Sequence, residues 1–202
     1  MTKRLESKYK INRRLGVNLW GRAKSPLSKR DYGPGQHGQR RKKPSDFSVQ
    51  LMAKQKLKGY YGNIGEKQFR KYYDEAVRRK GDTGENLIEL LERRLDAVVY
   101  RMKFAITPFA ARQFVSHGHV MVNGKRVTIP SYRVRKGDRI TLKEPSRNIF
   151  FVRRNMDTLD RQLPPWLEAS DAGFSVEVLN PPLREHIDEP VQEQLIVELY
   201  SK

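Results

Sequence analysis

The spacing of apolar residues changes at Gly118. Before it, Leu87, Ile88, Leu91, Leu95, Val98, Val99 and Met102 recur at three- and four-residue intervals, which predicts a helical stretch from about Glu85 to Met102. Thr107-Pro108 then supplies an N-cap and a first helical residue for a short helix that ends near His117. After Gly118 the period is two. His119-Val120-Met121-Val122 reads as a strand, Asn123-Gly124 as a type I′ hairpin turn, and Lys125 to Ile129 as the returning strand. Tyr132–Val134 and Arg139–Leu142 read as further strands around the turn at Lys136-Gly137-Asp138, followed by a helix from Ser146 to about Leu159. Helices that give way to short hairpin-linked strands predict an α+β fold with a small, mainly antiparallel sheet.

Helical signals also precede this region. Ser45 is placed to cap a helix from Asp46 to about Lys58, with Val49, Met52, Ala53, Leu57 and Tyr60 on its apolar face. A second helix fits Glu66 to Lys80, with Phe69, Tyr72, Tyr73, Ala76 and Val77 inward and Gly81 as its stop. Toward the C-terminus, Pro164-Pro165 and Pro181-Pro182 break the chain, Phe174–Leu179 reads as a strand, and Val191–Tyr200 as a closing helix with Leu195, Ile196 and Leu199 apolar. Residues 1–45 differ from all of this. They are basic, rich in Gly and Pro, and show little sustained apolar period, which predicts an arm, either solvated or ordered on a phosphate surface, that the remainder does not need in order to fold.

Charge narrows the partner. The 202 residues carry a formal net charge of +18. Residues 1–80 hold 23 basic and 6 acidic side chains, residues 81–150 hold 13 and 7, and residues 151–202 hold 5 and 10. A polyanionic partner is expected along the first three quarters, while the acidic tail faces solvent or a basic surface. A membrane surface is the rival polyanion, but no apolar run approaches ~18 residues. The start MTKRLESKYK lacks an apolar signal core, so a cytoplasmic protein without a membrane partner is expected. The absence of cysteine excludes disulfides and thiolate metal sites.

Catalytic signatures are missing: there is no G-x-S-x-G, no P-loop and no H-E-x-x-H. His117 and His119 could supply two metal ligands, short of the three or four that zinc takes, so neither metal nor other cofactor is expected. Arg94-Leu95-Asp96 resembles the RLD around the catalytic aspartate of pseudouridine synthases, but the following AVVY continues an apolar stripe. Asp96 therefore reads as a helix-surface charge or as an orienting partner for arginine. Arg112, Gln113, Ser116, His117 and His119 cluster at a helix end and strand start, with Arg112 and Ser116 one turn apart. These side chains suit phosphate oxygens and ribose hydroxyls, and Arg112 and His117 are expected on the surface. The alternative is a solvated corner with local caps.

The stretch from Arg93 to Ile140, with RLD, ARQ, HGHV and VNG, resembles the RNA-binding module called the S-four domain. That module also occurs in pseudouridine synthases, tyrosyl-tRNA synthetases and heat-shock RNA binders. YGPGQHGQ (Tyr32–Gln39), SDFSVQLMAKQKLKGYYG (Ser45–Gly62), EKQF (Glu66–Phe69) and the ending PVQEQLIVELYSK resemble the family of bacterial small-subunit ribosomal proteins S-four, in order and over nearly the whole chain. The resemblance implies a basic arm (1–44), a helical lobe (45–92), an inserted S-four module (93–160), and a C-terminal segment (161–202) packing back on the lobe. It implies a non-enzymatic constituent of the ribosome that binds the five-prime domain of 16S ribosomal RNA early in assembly and is not a stable homo-oligomer. It further implies that Arg40 to Lys43 line the path by which messenger RNA enters, and that the C-terminal region meets ribosomal protein S-five in an interface linked to decoding accuracy, with S-three a further neighbour. Arg94, Asp96, Arg112, Gln113, Ser116, His117, Gly118, His119 and Asn123 are implied to lie in or support the module's RNA surface. Gly124 and Lys125 at the hairpin, Lys54, Lys56 and Lys58 on the first helix, and Lys3, Arg4, Arg13, Arg14, Tyr32, Gly35, Gln36, His37, Gly38, Arg40, Arg41, Lys42 and Lys43 in the arm complete the expected RNA-binding set. Some family members bind zinc through four cysteines in the arm; this chain has none, so its arm must hold its shape by RNA contacts and local packing. An RNA-modifying enzyme carrying the module, and a generic polyanion binder, are the competing readings.

Overall fold

A computed structural model describes residues 7–21, 24–40, 43–159, 161–187 and 192–201. The chain divides into two compact units, one of residues 1–73 and 190–202, the other of residues 74–189.

The first unit is helical. α1 (Lys8–Leu15) ends at Gly16, which takes the left-handed φ of 66° that a helix stop favours. α2 (Asp46–Tyr60) is capped by Ser45, whose hydroxyl accepts the Ser48 amide at 3.3 Å. α3 (Glu66–Arg78) begins in this unit. The last helix, α9 (Glu193–Tyr200), packs on α2, with Ile196 buried and Gln50 donating to Glu198 at 3.0 Å. Phe69 and Tyr73 flank the Tyr200 ring at 6.2 and 4.6 Å.

Residues 7–21 are more than an arm. Ile11, Leu15, Leu19 and Trp20 are buried, the Trp20 indole donates to the Gly59 carbonyl at 3.2 Å, and a side chain at Gly59 would meet Leu19 at 2.8 Å. Four apolar side chains in ten residues suffice for one amphipathic turn and its continuation, a signal too short to register as a sustained period. Removing residues 1–44 would therefore strip part of this core. α2 is also rotated from its expected face. Val49 and Met52 are exposed, while Gln50, Lys54 and Lys58 are buried, because their polar ends find partners on α9 and α3. Val77, expected inward on α3, is exposed.

The second unit is α+β. The helical run expected from Glu85 to Met102 is broken into α4 (Thr83–Glu92), capped by Asp82, and α5 (Leu95–Arg101). Arg94 is extended between them and bridges to Arg133. The amides of Leu95 and Asp96 donate to Tyr132 and Pro130, and the Val134 amide donates to Arg93. The segment expected as a strand at 132–134 thus spends its backbone groups on the helix break instead. α6 (Pro108–Ser116) is capped by Thr107, with the Ala110 amide donating to its hydroxyl at 3.3 Å.

β1 (Val120–Val122), β2 (Lys125–Arg126), β3 (Arg139–Leu142), β4 (Leu167–Ser170) and β5 (Ser175–Val178) form one antiparallel sheet in the order β2-β1-β3-β5-β4. The Asn123-Gly124 turn has φ of 50° and 76°, as a type I′ hairpin requires. α7 (Glu144–Arg147) and α8 (Phe150–Thr158) replace the single helix expected from Ser146. One face of the sheet, carrying Val120, Val122, Ile140, Leu142, Val176 and Val178, packs with Val98, Val99, Ala111 and Val115 of α5 and α6 in one core. Residues 167–178, assigned from sequence to the returning segment, belong to this sheet: alternate burial on β5 completes the same core.

Candidate nucleic-acid interface

The corner between α6 and β1 is built on a buried ionic unit. Arg94 donates from Nε and Nη2 to the two carboxylate oxygens of Asp96 at 2.9 and 2.6 Å, and Arg112 Nε donates to Asp96 Oδ2 at 3.2 Å. The side chains of Arg94, Asp96 and Arg112 are 4%, 5% and 11% exposed. Asp96 also lies in the first turn of α5, where the helix dipole favours a negative charge. Asp96 is thus an orienting partner and not a surface charge. Arg94 and Asp96 are supports beneath the corner, and the expectation that Arg112 lies freely on the surface is corrected: a buried carboxylate draws its guanidinium inward.

Above this unit, Gln113 and His117 are exposed. The Ser116 hydroxyl donates to the Arg112 carbonyl at 2.8 Å. His119 is half-buried, stacked on Phe114 at 4.5 Å, with Nδ1 2.9 Å from the Ser146 hydroxyl. Burial lowers its pKa, and the neighbouring His117, Lys143 and Arg126 lower it further, which favours the neutral ring. A neutral ring is a hydrogen-bonding and stacking group and adds no cation to the corner.

Arg126 was missed from sequence. Its guanidinium lies over Gly118 and donates to the His117 carbonyl at 3.2 Å. Gly118 takes a φ of 76°, which favours glycine, and a Cβ there would displace that guanidinium from its present place. The signal was the alternation in V-N-G-K-R-V, which sets Arg126 opposite Met121, on the sheet face away from the core. Asn123, expected to lie in or support the RNA surface, holds the hairpin: its side-chain amide donates to Asp138 at 2.8 Å and accepts from the Arg139 amide at 2.9 Å. Gly124 and Lys125 are exposed at the hairpin tip.

In the helical unit, Lys54 and Lys58 are buried and donate to Glu66, at 2.8 and 2.5 Å, so neither presents a free charge. Burial pushes the Glu66 carboxyl up, but hydrogen bonds from Lys54, Lys58 and Tyr200 overcome this and hold it at about 2. Lys56 is half-buried. Arg13 clips the YGPG loop, donating to the carbonyls of Tyr32 and Gly33 at 3.1 and 2.9 Å, with its guanidinium 4.9 Å from the Tyr32 ring. Gly35 has a φ of 95°, and a Cβ at Gly38 would strike the Gly33 carbonyl, so the loop closes on itself. Gln36, His37, Arg40 and Lys43 are exposed, as is Arg14. Lys3, Arg4, Arg41 and Lys42 lie outside the described residues. No cluster of three or more His, Asp or Glu able to hold a metal ion occurs among the described residues, and no helix among them is long and apolar enough to cross a membrane.

A corner with exposed Lys125 and Arg126 on a small α+β module points to the nucleic-acid-binding class of protein. Residues 3–92 match the family described as "Ribosomal protein S4/S9 N-terminal domain", and residues 93–140 match the "S4 domain". The chain is 66% identical over 204 residues to small ribosomal subunit protein uS4 of Acidiphilium cryptum and 67% identical over 205 residues to that of Gluconobacter oxydans. It is 58% identical over 204 residues to that of Rhodospirillum rubrum, and in all three pairs the match covers 100% of both chains. The chain belongs to the uS4 family of small ribosomal subunit proteins, which are structural and non-enzymatic.

Proposed function

We propose that this protein binds the five-prime domain of 16S ribosomal RNA early in assembly of the small subunit of the cytoplasmic ribosome. The observation that carries this reading is the α6–β1 corner, where a buried Arg94–Asp96–Arg112 unit fixes a helix end whose exposed neighbours are Gln113, His117, Lys125 and Arg126. A rigid support beneath an adaptable cationic and polar surface suits shape reading of a folded RNA junction, where phosphates and ribose hydroxyls are the main contacts. Exposed Arg40 and Lys43, with Arg41 and Lys42, suit the edge of the messenger-RNA path. The acidic excess of residues 151–202 suits a basic face on ribosomal protein S-five or S-three.

The test is binding of the full chain to the five-prime-domain RNA, with unrelated structured RNA and duplex DNA as competitors, across a salt series. Tight binding to the first alone is expected. If ~6–10 phosphates are neutralised, affinity falls ~10³–10⁵-fold between 50 and 200 mM salt, by the duplex rule. Replacing Arg126 by Ala is expected to lower the salt slope by about one phosphate. Equal, salt-fragile binding to all three would reduce the chain to a generic polycation.

A further inference from the structure

Two adjacent phenylalanines, Phe150 and Phe151, open α8 and are 68% and 65% exposed. The helix is fixed in that orientation from its other side. Val152 is buried in the sheet unit's core, and Asn155 is buried and donates to the Phe104 carbonyl at 3.3 Å. At 100° per residue, these two anchors turn Phe150 and Arg154 outward together, one turn apart, with Phe151 and Arg153 on the flanks. The two rings meet edge to face, 5.9 Å apart and 69° between planes.

Among the described residues, no carboxylate pairs with the positive charge beside them. Arg153 donates to the Arg147 carbonyl at 3.3 Å and to the Asn148 side-chain oxygen at 2.6 Å, both uncharged. Arg154 is exposed and makes no ion pair among the described residues. Asp157, one turn further along, is the acidic side chain nearest in sequence. Single exposed apolar residues are ordinary, but a pair of aromatic rings held outward beside two arginines suits a ligand that offers both π faces and negative charge.

We propose that Phe150 and Phe151 are a stacking platform for unpaired RNA bases, with Arg153 and Arg154 on the adjoining phosphates. The inference rests on the RNA-binding reading above and names a second contact surface for it. One ligand then satisfies rings and guanidinium groups together, since every base carries a π face and every nucleotide a phosphate. A protein partner would have to bring carboxylates to both arginines as well as an apolar cover for the rings.

The test separates aromaticity from greasiness. The paired variant Phe150→Leu and Phe151→Leu keeps apolar area and helix propensity but removes both π faces; the Ala pair removes both. Each full-length variant is assayed against the five-prime-domain transcript and by ultraviolet crosslinking in reconstituted small subunits, with melting temperature as the folding control. Both pairs are expected to melt like the parent, to bind about 5- to 150-fold more weakly per stacked base, and to lose nucleotide adducts on residues 150–151. A Leu pair that binds like the parent, or crosslinks confined to residues 112–126, would overturn the platform while leaving the RNA reading intact. A parent chain that does not discriminate among RNAs would overturn both. Loss of a protein neighbour from the particle in the Ala pair but not the Leu pair would assign the surface to a protein instead.

Discussion

Glu66 and Asp96 each hold two basic side chains, and they do so in opposite surroundings. Asp96 is enclosed in the sheet unit, 5% exposed, and binds two planar guanidinium groups. Glu66 is 49% exposed in the helical unit, and binds two ammonium groups whose own stems are buried. Arginine's fork fixes direction as well as charge, so the Asp96 unit sets the attitude of a helix end. Lysine's ammonium is a point charge on a flexible stem, so the Glu66 unit neutralises charge within a helical packing. The Tyr200 hydroxyl joins it, donating to Glu66 at 2.6 Å, which ties the C-terminal helix into the same cluster. The same element, one acid and two bases, orients in one unit and fastens in the other.

The largest effect should come from breaking the buried member. Asp96→Ala leaves two guanidinium groups in an enclosed site without their carboxylate, at a cost of about 3–5 kcal/mol. Denaturant unfolding measures it. If Asp96 only fastened, RNA binding would fall in step with stability. Because it orients, binding of the still-folded fraction should also drop, and Asp96→Glu, which keeps the charge but shifts the fork, should weaken binding more than it weakens folding. A variant that loses stability but binds normally would erase the contrast with Glu66.

Glu66→Gln should cost less, about 1 kcal/mol once solvent screening of this half-exposed group is allowed for. Its pH signature is specific. The folded carboxyl sits at about 2 against 4.5 for an unperturbed one. The contribution is therefore fully present above about 4.5 and is lost as pH falls toward 2, where the folded group is also protonated. Thermal melts between pH 5 and pH 2 should decline more shallowly in Glu66→Gln than in the parent. Parallel declines would show that Glu66 does not carry the acid sensitivity of the helical unit.

The contrast also marks what the sequence could reveal. Turn and cap chemistry was legible because it is local: Ser45, Thr107-Pro108 and Asn123-Gly124 stand where their residue types require. The module was legible because RLD, ARQ, HGHV and VNG stand as contiguous strings, and the family because YGPGQHGQ, SDFSVQLMAKQKLKGYYG and EKQF do. Tertiary decisions were not. Nothing near Lys54 and Lys58 announces that Glu66 will bury them, and nothing near Arg94 announces that residues 130–134 will take the amides that end one helix and start another. Reading each lysine as a free charge and each apolar run as one helix fails where a distant segment supplies the partner. Arg126 is a different case, since its place over Gly118 follows from the local hairpin pairing that V-N-G-K-R-V already signals.

The smallest expected effect separates the units by pH window. His119 has a lowered pKa, first from burial and then from the cations around it, so protonation favours the unfolded chain. Its contribution to the sheet unit is present above the ordinary value of 6.5 and is lost as pH falls through that value, levelling once the folded ring is itself protonated. That loss begins at a higher pH, 6.5, than the loss carried by Glu66, which begins at 4.5. The histidine ring-proton resonances, followed by NMR from pH 8 to pH 4, should show His119 titrating below 6.5. Arg126→Ala removes one of the cations that hold it down, so the midpoint should move back toward 6.5, with the Phe114 stack retained. An unmoved midpoint would mean that Arg126 adds nothing and that burial, His117 and Lys143 set the ring's charge. A titration at or above 6.5 in the parent would mean that the corner carries one more cation near neutral pH than its geometry implies.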